Sequence, residues 1–228
     1  MDVVNNLRRL QARIVTAARR AGRNPGEIKL VAVTKTVPVE RIREALAFGA
    51  NRLGENRVQE FLNKYQQLPP EVEWHFIGHL QTNKVNKIIG KVNLIHSLDR
   101  WELAEELHRA AIKGGQVVKV LVQVNVAGEK SKYGLAPSET VDFVASAVGL
   151  ARLSVEGLMT IAPWSANPEE VRPVFRQLKD IARKVEDRVT GSKMDYLSMG
   201  MSGDWEVAVE EGANILRIGT AVFGERDV

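Results

Sequence analysis

One repeated pattern limits the possible folds of this sequence more than any other feature. From residue 28 onward, short apolar runs alternate with longer segments whose apolar residues recur every three or four positions. The runs are typical of buried strands and the segments of amphipathic helices. Several runs are apolar on both faces, as at 30–33 and 120–122, which parallel strands covered on both sides require. The pattern predicts strands at 28–34, 52–56, 74–79, 94–98, 117–126, 153–161, 196–199 and 215–223.

Eight strand–helix units predict an α/β protein, a (β/α)8 TIM barrel that forms a single domain over residues 1–228. Spread over the chain, they leave about 28 residues per unit, which suits a compact repeat of this fold. An open, doubly wound sheet is the competing architecture, but it usually has fewer strands, and no Gly-rich dinucleotide fingerprint follows the first strand. The chain ends soon after the eighth strand, so we expect no eighth helix there and an extra N-terminal helix at 2–22 to supply that wall.

The composition excludes several classes of function. The chain has no cysteine, which removes disulfides, thiolate nucleophiles and cysteine-ligated metal centres. No run of about 18 apolar residues occurs and the N-terminus lacks a signal-peptide core, so we expect a cytoplasmic protein that does not bind membranes. The 32 basic and 28 acidic residues give a net charge of +4. Because the arginines at 8–23 alternate with apolar residues at helical spacing, they indicate a solvated helix face rather than a nucleic-acid-binding surface.

Lys35 is the first candidate for chemistry, because the functional residues of a barrel follow the C-terminal ends of its strands. It closes the apolar run 30–34 and shares a strand face with Val31 and Val33, which directs it into the barrel mouth. Poor hydration there disfavours the ammonium and leaves more free amine, the form that attacks an aldehyde to give a Schiff base. A lysine whose stem packs while its head reaches water is the alternative, and the pattern alone leaves it open.

The ends of the last two strands carry a second signal, which points to an anion. Ser202 follows the seventh strand, and Gly219 and Thr220 follow the core of the eighth. Barrels often bind phosphate in these two loops, although glycine-rich turns also occur there for geometric reasons alone. Arg217 lies inside an apolar strand and needs an anionic or acceptor partner if it is buried. Together with Lys35, these residues describe a pyridoxal phosphate pocket.

Six linked motifs span the chain from the first strand onward. They are AVTKT at 32–36, GENR at 54–57, WHFIGHLQ at 74–81, GLM at 157–159, LSMGMS at 197–202 and RIGT at 217–220. In this order they closely resemble the pyridoxal phosphate homeostasis protein family, called YggS in bacteria and PROSC in animals. The resemblance implies the barrel of alanine racemase without its C-terminal β domain, pyridoxal 5'-phosphate as cofactor, a Schiff base to the lysine of the first strand, and a role in holding and supplying the cofactor.

The resemblance also assigns roles to residues. Lys35 resembles the lysine that binds the aldehyde, and Arg217 resembles the arginine that faces the pyridine nitrogen in alanine racemases. Phosphate ligands are expected in the last two loops. The predicted cofactor-binding residues are Lys35, Asn56, His79, Met199, Ser202, Arg217, Gly219 and Thr220. For His79, a structural role satisfied by backbone carbonyls stays an equal alternative. His75 and His79 share a strand face, but the other two histidines, at 96 and 108, lie on separate elements and no carboxylate pair joins them, so we expect no metal site.

The expected function is to hold the cofactor without efficient catalysis. Enzymes that use the ring as an electron sink usually place a carboxylate against the pyridine nitrogen, whereas Arg217 disfavours a positive charge there. In racemases a tyrosine comes from the β domain of the partner subunit, and none of Tyr65, Tyr133 and Tyr196 lies in an obvious position to replace it. We therefore expect a monomeric, non-catalytic buffer or carrier of pyridoxal phosphate, and a pyridoxal-phosphate-dependent amino acid racemase is the alternative.

Delivery of the cofactor requires its release from the pocket. The loop 128–134 after the fifth strand offers Lys130 and Lys132, and Lys132 matches a lysine in the corresponding loop of the family. We expect Lys132 to accept the aldehyde or to draw the phosphate outward, although a charged surface loop explains it equally. Apo-forms of pyridoxal-phosphate enzymes are the expected partners. A third class of function is an interaction module for which cofactor occupancy is the signal.

Overall fold

The computed structural model describes residues 2–225 and contains a closed barrel of eight parallel strands, which confirms the predicted fold. Each strand pairs with its neighbours in sequence. The first strand closes the barrel by pairing with the last, so that Val31 lies opposite Arg217. The strands are β1 (Lys29–Val33), β2 (Arg52–Glu55), β3 (Glu73–Phe76), β4 (Leu94–Leu98), β5 (Val118–Gln123), β6 (Leu153–Met159), β7 (Tyr196–Ser198) and β8 (Ile215–Ile218).

Helices of very different length cover the outside of the barrel: one precedes the first strand and the others lie after the strands. They are α1 (Val3–Arg20), α2 (Val39–Ala47), α3 (Val58–Tyr65), α4 (Val85–Ile88), α5 (Trp101–Lys113), α6 (Thr140–Ala147), α7 (Arg172–Arg188), α8 (Trp205–Glu210) and α9 (Thr220–Phe223). Short 3-10 helices lie at Pro25–Glu27, Thr82–Lys84 and Pro168–Val171. Among residues 2–225, no helix combines the length and the apolar composition needed to cross a bilayer.

The last strand differs from the sequence prediction. The strand expected at 215–223 stops at Ile218, and Thr220–Phe223 forms one helical turn, in which the Gly224 N–H donates to the Thr220 carbonyl over 2.8 Å. A short helix therefore does follow the eighth strand. An apolar run alone cannot distinguish a buried strand from a buried helical turn, which is why the pattern extended the strand too far. Other predicted strands also run past their observed ends: 74–79, 117–126 and 153–161.

The N-terminal helix α1 completes the wall that the single turn of α9 leaves open, as the sequence predicted. Asp2 caps α1 by accepting a hydrogen bond from Asn5 N over 3.1 Å. The Asn6 side chain donates to the Val222 carbonyl of α9 over 3.0 Å. Arginines on the exposed face of α1 form ion pairs with glutamates of α8, so that face is solvated as expected. The buried face includes Val3, Leu7, Leu10 and Ile14.

The core has an outer layer and an inner cluster, and side-chain alternation along the strands sorts residues between them. The outer layer packs the strands against the helices. The inner cluster consists of Val31, Leu94, Leu121, Met159 and Ile215. Buried polar side chains are present as well: His75 Nδ1 lies 2.8 Å from His96 Nε2. These two histidines lie on different strands, and the pairing of β3 with β4 brings them together.

Candidate functional site

The C-terminal ends of the strands open into a cavity of about 980 Å³. It brings together seven of the eight predicted cofactor-binding residues, which follow or end five different strands: Lys35, Asn56, His79, Ser202, Arg217, Gly219 and Thr220. Residues so far apart in sequence surround one opening because the parallel barrel places all the strand ends at the same rim. The cavity is therefore the candidate site.

Met199 is the predicted site residue that the structure does not bring to the cavity. It is fully buried in the outer layer of the core, where Leu197 also packs. Because side chains alternate along a strand, Ser198 between them lies on the barrel-interior side, where its hydroxyl contacts Arg217 and His96. Ser198 is not among the predicted site residues, but it contacts Arg217 of the cavity wall. Alternation within the run 196–199 is the signal that points to it.

Lys35 lies two residues beyond the end of β1 and is half-buried in the cavity wall. Val33 lines the same cavity and Val31 belongs to the inner cluster, as alternation predicts. The next residue, Thr36, has a φ of 62°, a left-handed conformation that is unfavourable for a β-branched side chain. The surroundings, rather than local preference, therefore hold the chain in this turn.

A buried ionic network holds the backbone on both sides of Lys35. The Lys64 ammonium donates to the Thr34 carbonyl over 2.6 Å and to the Glu55 carboxylate over 2.7 Å. It also donates to Glu60, which accepts a further hydrogen bond from the N–H of the residue after Lys35. Burial raises the pKa of Glu55, while hydrogen bonds from Lys64 and Thr34 oppose that shift. The network thus fixes both peptide groups that set the direction of the Lys35 side chain.

Arg217 is buried in β8 and borders the cavity. Its Nη1 donates to Ser198 Oγ over 2.7 Å and its Nη2 donates to the Thr160 carbonyl over 2.8 Å, which supplies the acceptors that a buried arginine requires. Burial lowers the pKa of Arg217 to about 10, and the Asp204 carboxylate opposes this shift. Because that pKa is still well above neutral pH, the guanidinium stays positively charged.

His79 contacts a carboxylate and an aromatic ring. Its Nδ1 lies 3.0 Å from Asp99 Oδ2, and the Tyr133 ring stacks on the imidazole with centroids 3.8 Å apart and 15° between the planes. Tyr133 also lines the cavity, which the sequence analysis did not foresee for any tyrosine. The loop after β5 carries it there because the loop returns to the strand end, where Leu135 N donates to the Gln123 carbonyl over 2.9 Å.

One stretch of the cavity wall is rich in hydroxyls and glycine. Ser202, Gly219 and Thr220 lie there together with Gly203. The Ser202 Oγ accepts a hydrogen bond from Ala221 N over 3.3 Å, which ties the loop after β7 to α9. Hydroxyls and backbone N–H groups in such turns are the usual partners of phosphate oxygens. This part of the wall therefore fits a phosphate group.

Asn56 provides a buried polar atom that a ligand would satisfy. Within residues 2–225, its Oδ1 is buried and lacks a hydrogen-bond partner, and the residue lines the cavity. Gly78 permits this arrangement, because a Cβ there would lie 2.2 Å from the Asn56 carbonyl oxygen. A buried acceptor left unpaired is costly. The wall at Asn56 therefore fits a ligand that donates a hydrogen bond, such as one with a ring hydroxyl.

Lys132 belongs to the cavity, whereas Lys130 of the same loop is exposed on the surface. The Lys132 ammonium donates to the Ala162 carbonyl over 3.1 Å and forms an ion pair with Glu129. These contacts draw its side chain to the rim rather than into solvent. The two lysines, which the sequence did not distinguish, therefore differ in location: one lines the cavity and the other is exposed on the surface.

The chain has close relatives of known name. It is 49% identical over 227 residues to the pyridoxal phosphate homeostasis protein of Aquifex aeolicus, with 99% of each chain covered. It is 40% identical over 226 residues to the protein of the same name in Pseudomonas aeruginosa, which covers 99% of this chain and 96% of that one. The alanine racemase N-terminal domain family matches residues 5–227.

Solved structures show the same relationship. PipY of Synechococcus elongatus, solved with PLP bound, superposes with a TM-score of 0.86 at 35% identity, covering 97% of this chain and 100% of PipY. Alanine racemase of Clostridium difficile superposes with a TM-score of 0.74 at 16% identity, covering 96% of this chain and 57% of the racemase, and so shares the fold. From its sequence relatives and its barrel, the chain belongs to the pyridoxal phosphate homeostasis protein family, which has the fold of the alanine racemase N-terminal domain.

Proposed function

We propose that the protein binds pyridoxal 5'-phosphate as a Schiff base on Lys35 and acts in the homeostasis of this cofactor by holding and supplying it, without efficient catalysis. The observation that carries the proposal is that the Lys35 amine, Arg217 and a phosphate-compatible wall border one cavity of about 980 Å³. That volume lies at the upper end of the range for small-molecule sites, about 300–1,000 Å³. The choice of ligand is supported by PipY, which was solved with PLP bound.

Different cavity residues bind different parts of the cofactor. Lys35 offers the amine to the aldehyde carbon, and its direction is set by the buried network around Lys64. Ser202, Gly219 and Thr220 provide donors for the phosphate. The Asn56 amide oxygen accepts a hydrogen bond from the ring substituents. Because different residues bind the phosphate and the ring, they fix the orientation of the cofactor in the cavity.

Arg217 is the reason to propose a carrier rather than an efficient enzyme. Pyridoxal phosphate, when bound, supplies an electron-withdrawing ring that is most effective when the pyridine nitrogen is protonated. Arg217 stays charged and is held by two acceptors, so a second positive charge beside it is disfavoured. The site can therefore bind pyridoxal phosphate, but the ring of the cofactor stabilises a carbanion only weakly there.

Two measurements on the isolated protein test the binding proposal. Wild-type protein mixed with pyridoxal phosphate should develop a visible absorption band, and borohydride should fix the cofactor irreversibly on the peptide that contains Lys35. Lys35→Ala should lose both the band and the labelled peptide, and Lys130→Ala, which changes an exposed lysine, should keep them. Labelling of another lysine in the wild-type protein would show that the assigned amine is wrong.

A pyridoxal-phosphate-dependent amino acid racemase is the second candidate function, and one observation favours it. Tyr133 and His79 stack together at the cavity, so a phenol and an imidazole are available for proton transfer. Incubation of the loaded protein with single enantiomers of amino acids, followed by chiral chromatography, compares the two functions. Turnover of about 1 per second or faster would favour the racemase.

For delivery, we propose that Lys132 accepts the aldehyde or draws the phosphate outward on the way to an apoenzyme. Lys132 lines the cavity and its ammonium already contacts the Ala162 carbonyl at the rim. The assay mixes loaded protein with a pyridoxal-phosphate-dependent apoenzyme and follows the recovered enzyme activity. Lys132→Ala should slow the transfer, whereas Lys130→Ala should leave it unchanged. Equal rates for both variants and the wild type would remove any role for Lys132.

The remaining features of the proposal concern partners and assembly. Apo-forms of pyridoxal-phosphate enzymes are the proposed recipients, and the protein is proposed to be a cytoplasmic monomer. Pull-downs with and without pyridoxal phosphate test the alternative that the protein is an interaction module, since that function requires a partner whose binding depends on cofactor occupancy. Light scattering on the purified protein should give a mass near the chain mass of 25.3 kDa.

A further inference from the structure

A continuous row of polar side chains runs through the barrel from the cavity towards the opposite end of the strands, and all of them are buried except Glu73, which is partly exposed. Arg217 Nη1 lies 2.7 Å from Ser198 Oγ, and Ser198 Oγ lies 2.9 Å from His96 Nδ1. His96 Nε2 lies 2.8 Å from His75 Nδ1, and His75 Nε2 lies 3.3 Å from Glu73 Oε1. We call these five residues the barrel row. They come from strands β8, β7, β4 and β3.

The two ends of the barrel row determine the direction of every hydrogen bond in it. An arginine guanidinium has donors only, so Arg217 donates to Ser198. An ionised carboxylate has acceptors only, so His75 Nε2 must carry a proton and donate to Glu73. The reverse direction would place the bare His75 Nε2 against the Glu73 oxygen, which is a contact between two acceptors.

The protons between the ends follow from the same rule. If both imidazoles are neutral, His75 Nδ1 must accept from His96 Nε2–H, and His96 Nδ1 must accept from the Ser198 hydroxyl. Every donor in the barrel row then meets one acceptor. Both histidines therefore carry their proton on Nε2, and the Ser198 hydroxyl accepts from Arg217 while it donates to His96.

Burial keeps both imidazoles neutral, as this pattern requires. His75 and His96 are almost completely buried. Desolvation lowers the pKa of His75, while the Glu73 carboxylate opposes the shift and the cations Arg52 and Lys29 reinforce it. Desolvation also lowers the pKa of His96, and the Arg217 guanidinium lowers it further. Glu73 stays ionised, because the hydrogen bond from His75 lowers its pKa and the Arg52 side chain lies 2.9 Å from it.

We propose that Ser198, His96, His75 and Glu73 act as positioning residues that hold the Arg217 guanidinium in one orientation towards the pyridine nitrogen of the cofactor. The inference rests on the proposed function for the identity of the ligand. Its structural basis is that one of the two acceptors of Arg217, the Ser198 hydroxyl, belongs to a hydrogen-bonded row that ends at the Glu73 carboxylate. Glu73 borders a second cavity, of about 310 Å³, at the far side of the barrel row.

The first test needs no cofactor. Long-range proton–nitrogen spectra of nitrogen-15-labelled histidines in the unloaded wild-type protein report which ring nitrogen carries the proton. We expect His75 and His96 to be neutral with the proton on Nε2 from pH 6 to pH 8. A proton on Nδ1 of either ring, or a charged ring in this range, would overturn the proposed direction of the row.

The second test uses the loaded protein. Ser198→Ala removes one of the two acceptors of Arg217 and leaves the Thr160 carbonyl as the other. It should raise the dissociation constant of pyridoxal phosphate by about 3- to 10-fold, the usual effect of one hydrogen bond, and shift the visible absorption band. Ser198→Thr keeps a hydroxyl and should restore both properties towards those of the wild type. Unchanged affinity and band position in Ser198→Ala would contradict the proposal.

The far end of the barrel row provides a matched pair of variants. Glu73→Gln removes the terminal negative charge and should shift the absorption band in the same direction as Ser198→Ala. Glu156→Gln removes a carboxylate that lines the same second cavity but lies outside the row, and should leave the band unchanged. If the absorption bands of Glu73→Gln and Glu156→Gln have the same position, Glu73 does not have the proposed role. If the wild-type protein takes up no pyridoxal phosphate, the proposed function fails, while the histidine spectra still decide whether the row has the predicted direction.

Discussion

Replacing Lys64 by methionine tests how the backbone around Lys35 is held. Lys64 is 7% exposed and its ammonium contacts a Glu55 carboxylate that is fully buried, so Lys64→Met leaves a buried charge without its partner. Breaking a buried ion pair in this way costs about 3 to 5 kcal/mol. The Thr34 carbonyl loses a donor in the same substitution. We therefore expect the free energy of unfolding to fall by about 3 to 5 kcal/mol at pH 7.

Urea denaturation at equilibrium measures this loss, and a second variant identifies its cause. In Lys64→Met with Glu55→Gln, the buried group next to methionine is neutral, so the double variant should be more stable than Lys64→Met alone. A loss below about 1 kcal/mol for Lys64→Met, or a double variant that is less stable than the single one, would refute the assignment of a buried charge pair.

The pH dependence of the same variant has a definite sign. Burial raises the pKa of Glu55 in the folded protein, and loss of Lys64 removes groups that oppose this shift. A carboxyl with a raised pKa in the folded state binds more protons there than in the unfolded state, so stability falls as the pH rises above the unfolded pKa of about 4.3. The stability difference between wild type and Lys64→Met should therefore narrow on acidification towards pH 4 and widen towards pH 7. An unchanged difference across this range would contradict the reasoning.

Two other substitutions should differ strongly in their effect on the stability of the fold. Gly78→Ala places a methyl group 2.2 Å from the Asn56 carbonyl oxygen, and we expect it to cost about 1 to 3 kcal/mol in urea denaturation and to weaken cofactor binding. Arg13→Ala breaks an ion pair with Glu206 in which the arginine is 63% exposed, and we expect a change below about 1 kcal/mol in the same assay. A larger loss in the free energy of unfolding for Arg13→Ala than for Gly78→Ala would contradict this reasoning.

The barrel and most of the residues that border the candidate site could be predicted from the sequence because both follow from local patterns. Alternating apolar runs indicate parallel strands, and the residue at each strand end then has a known location at the rim. Lys35 and Arg217 were found in this way, and both border the cavity. Alternation also accounts for the residue that was misplaced, since Met199 faces the helices while its neighbour Ser198 faces inward.

Features that depend on closure or on loop geometry could not be predicted from local patterns. The stacking of Tyr133 on His79 depends on how the loop after β5 returns to the barrel. The pattern of apolar residues along the sequence does not predict the course of a loop. The contact between His75 and His96 depends on the register of two neighbouring strands. The single turn of α9 has the same apolar composition as a strand end, so only its backbone hydrogen bonds reveal it.

The closure of the barrel between β1 and β8 has a consequence for how the protein is made. Lys35 follows β1 near the start of the chain, and Arg217 lies in β8 near its end, yet β1 and β8 are neighbours in the sheet. A growing polypeptide exposes the amine long before the ribosome releases the arginine and the glycine-rich turn after it. A chain still under synthesis therefore has the Lys35 amine without β8 and the turn that follows it. If the proposed function holds, the binding site is complete only after β8 has been made, so translation that stops before β8 yields a product that cannot sequester the vitamin.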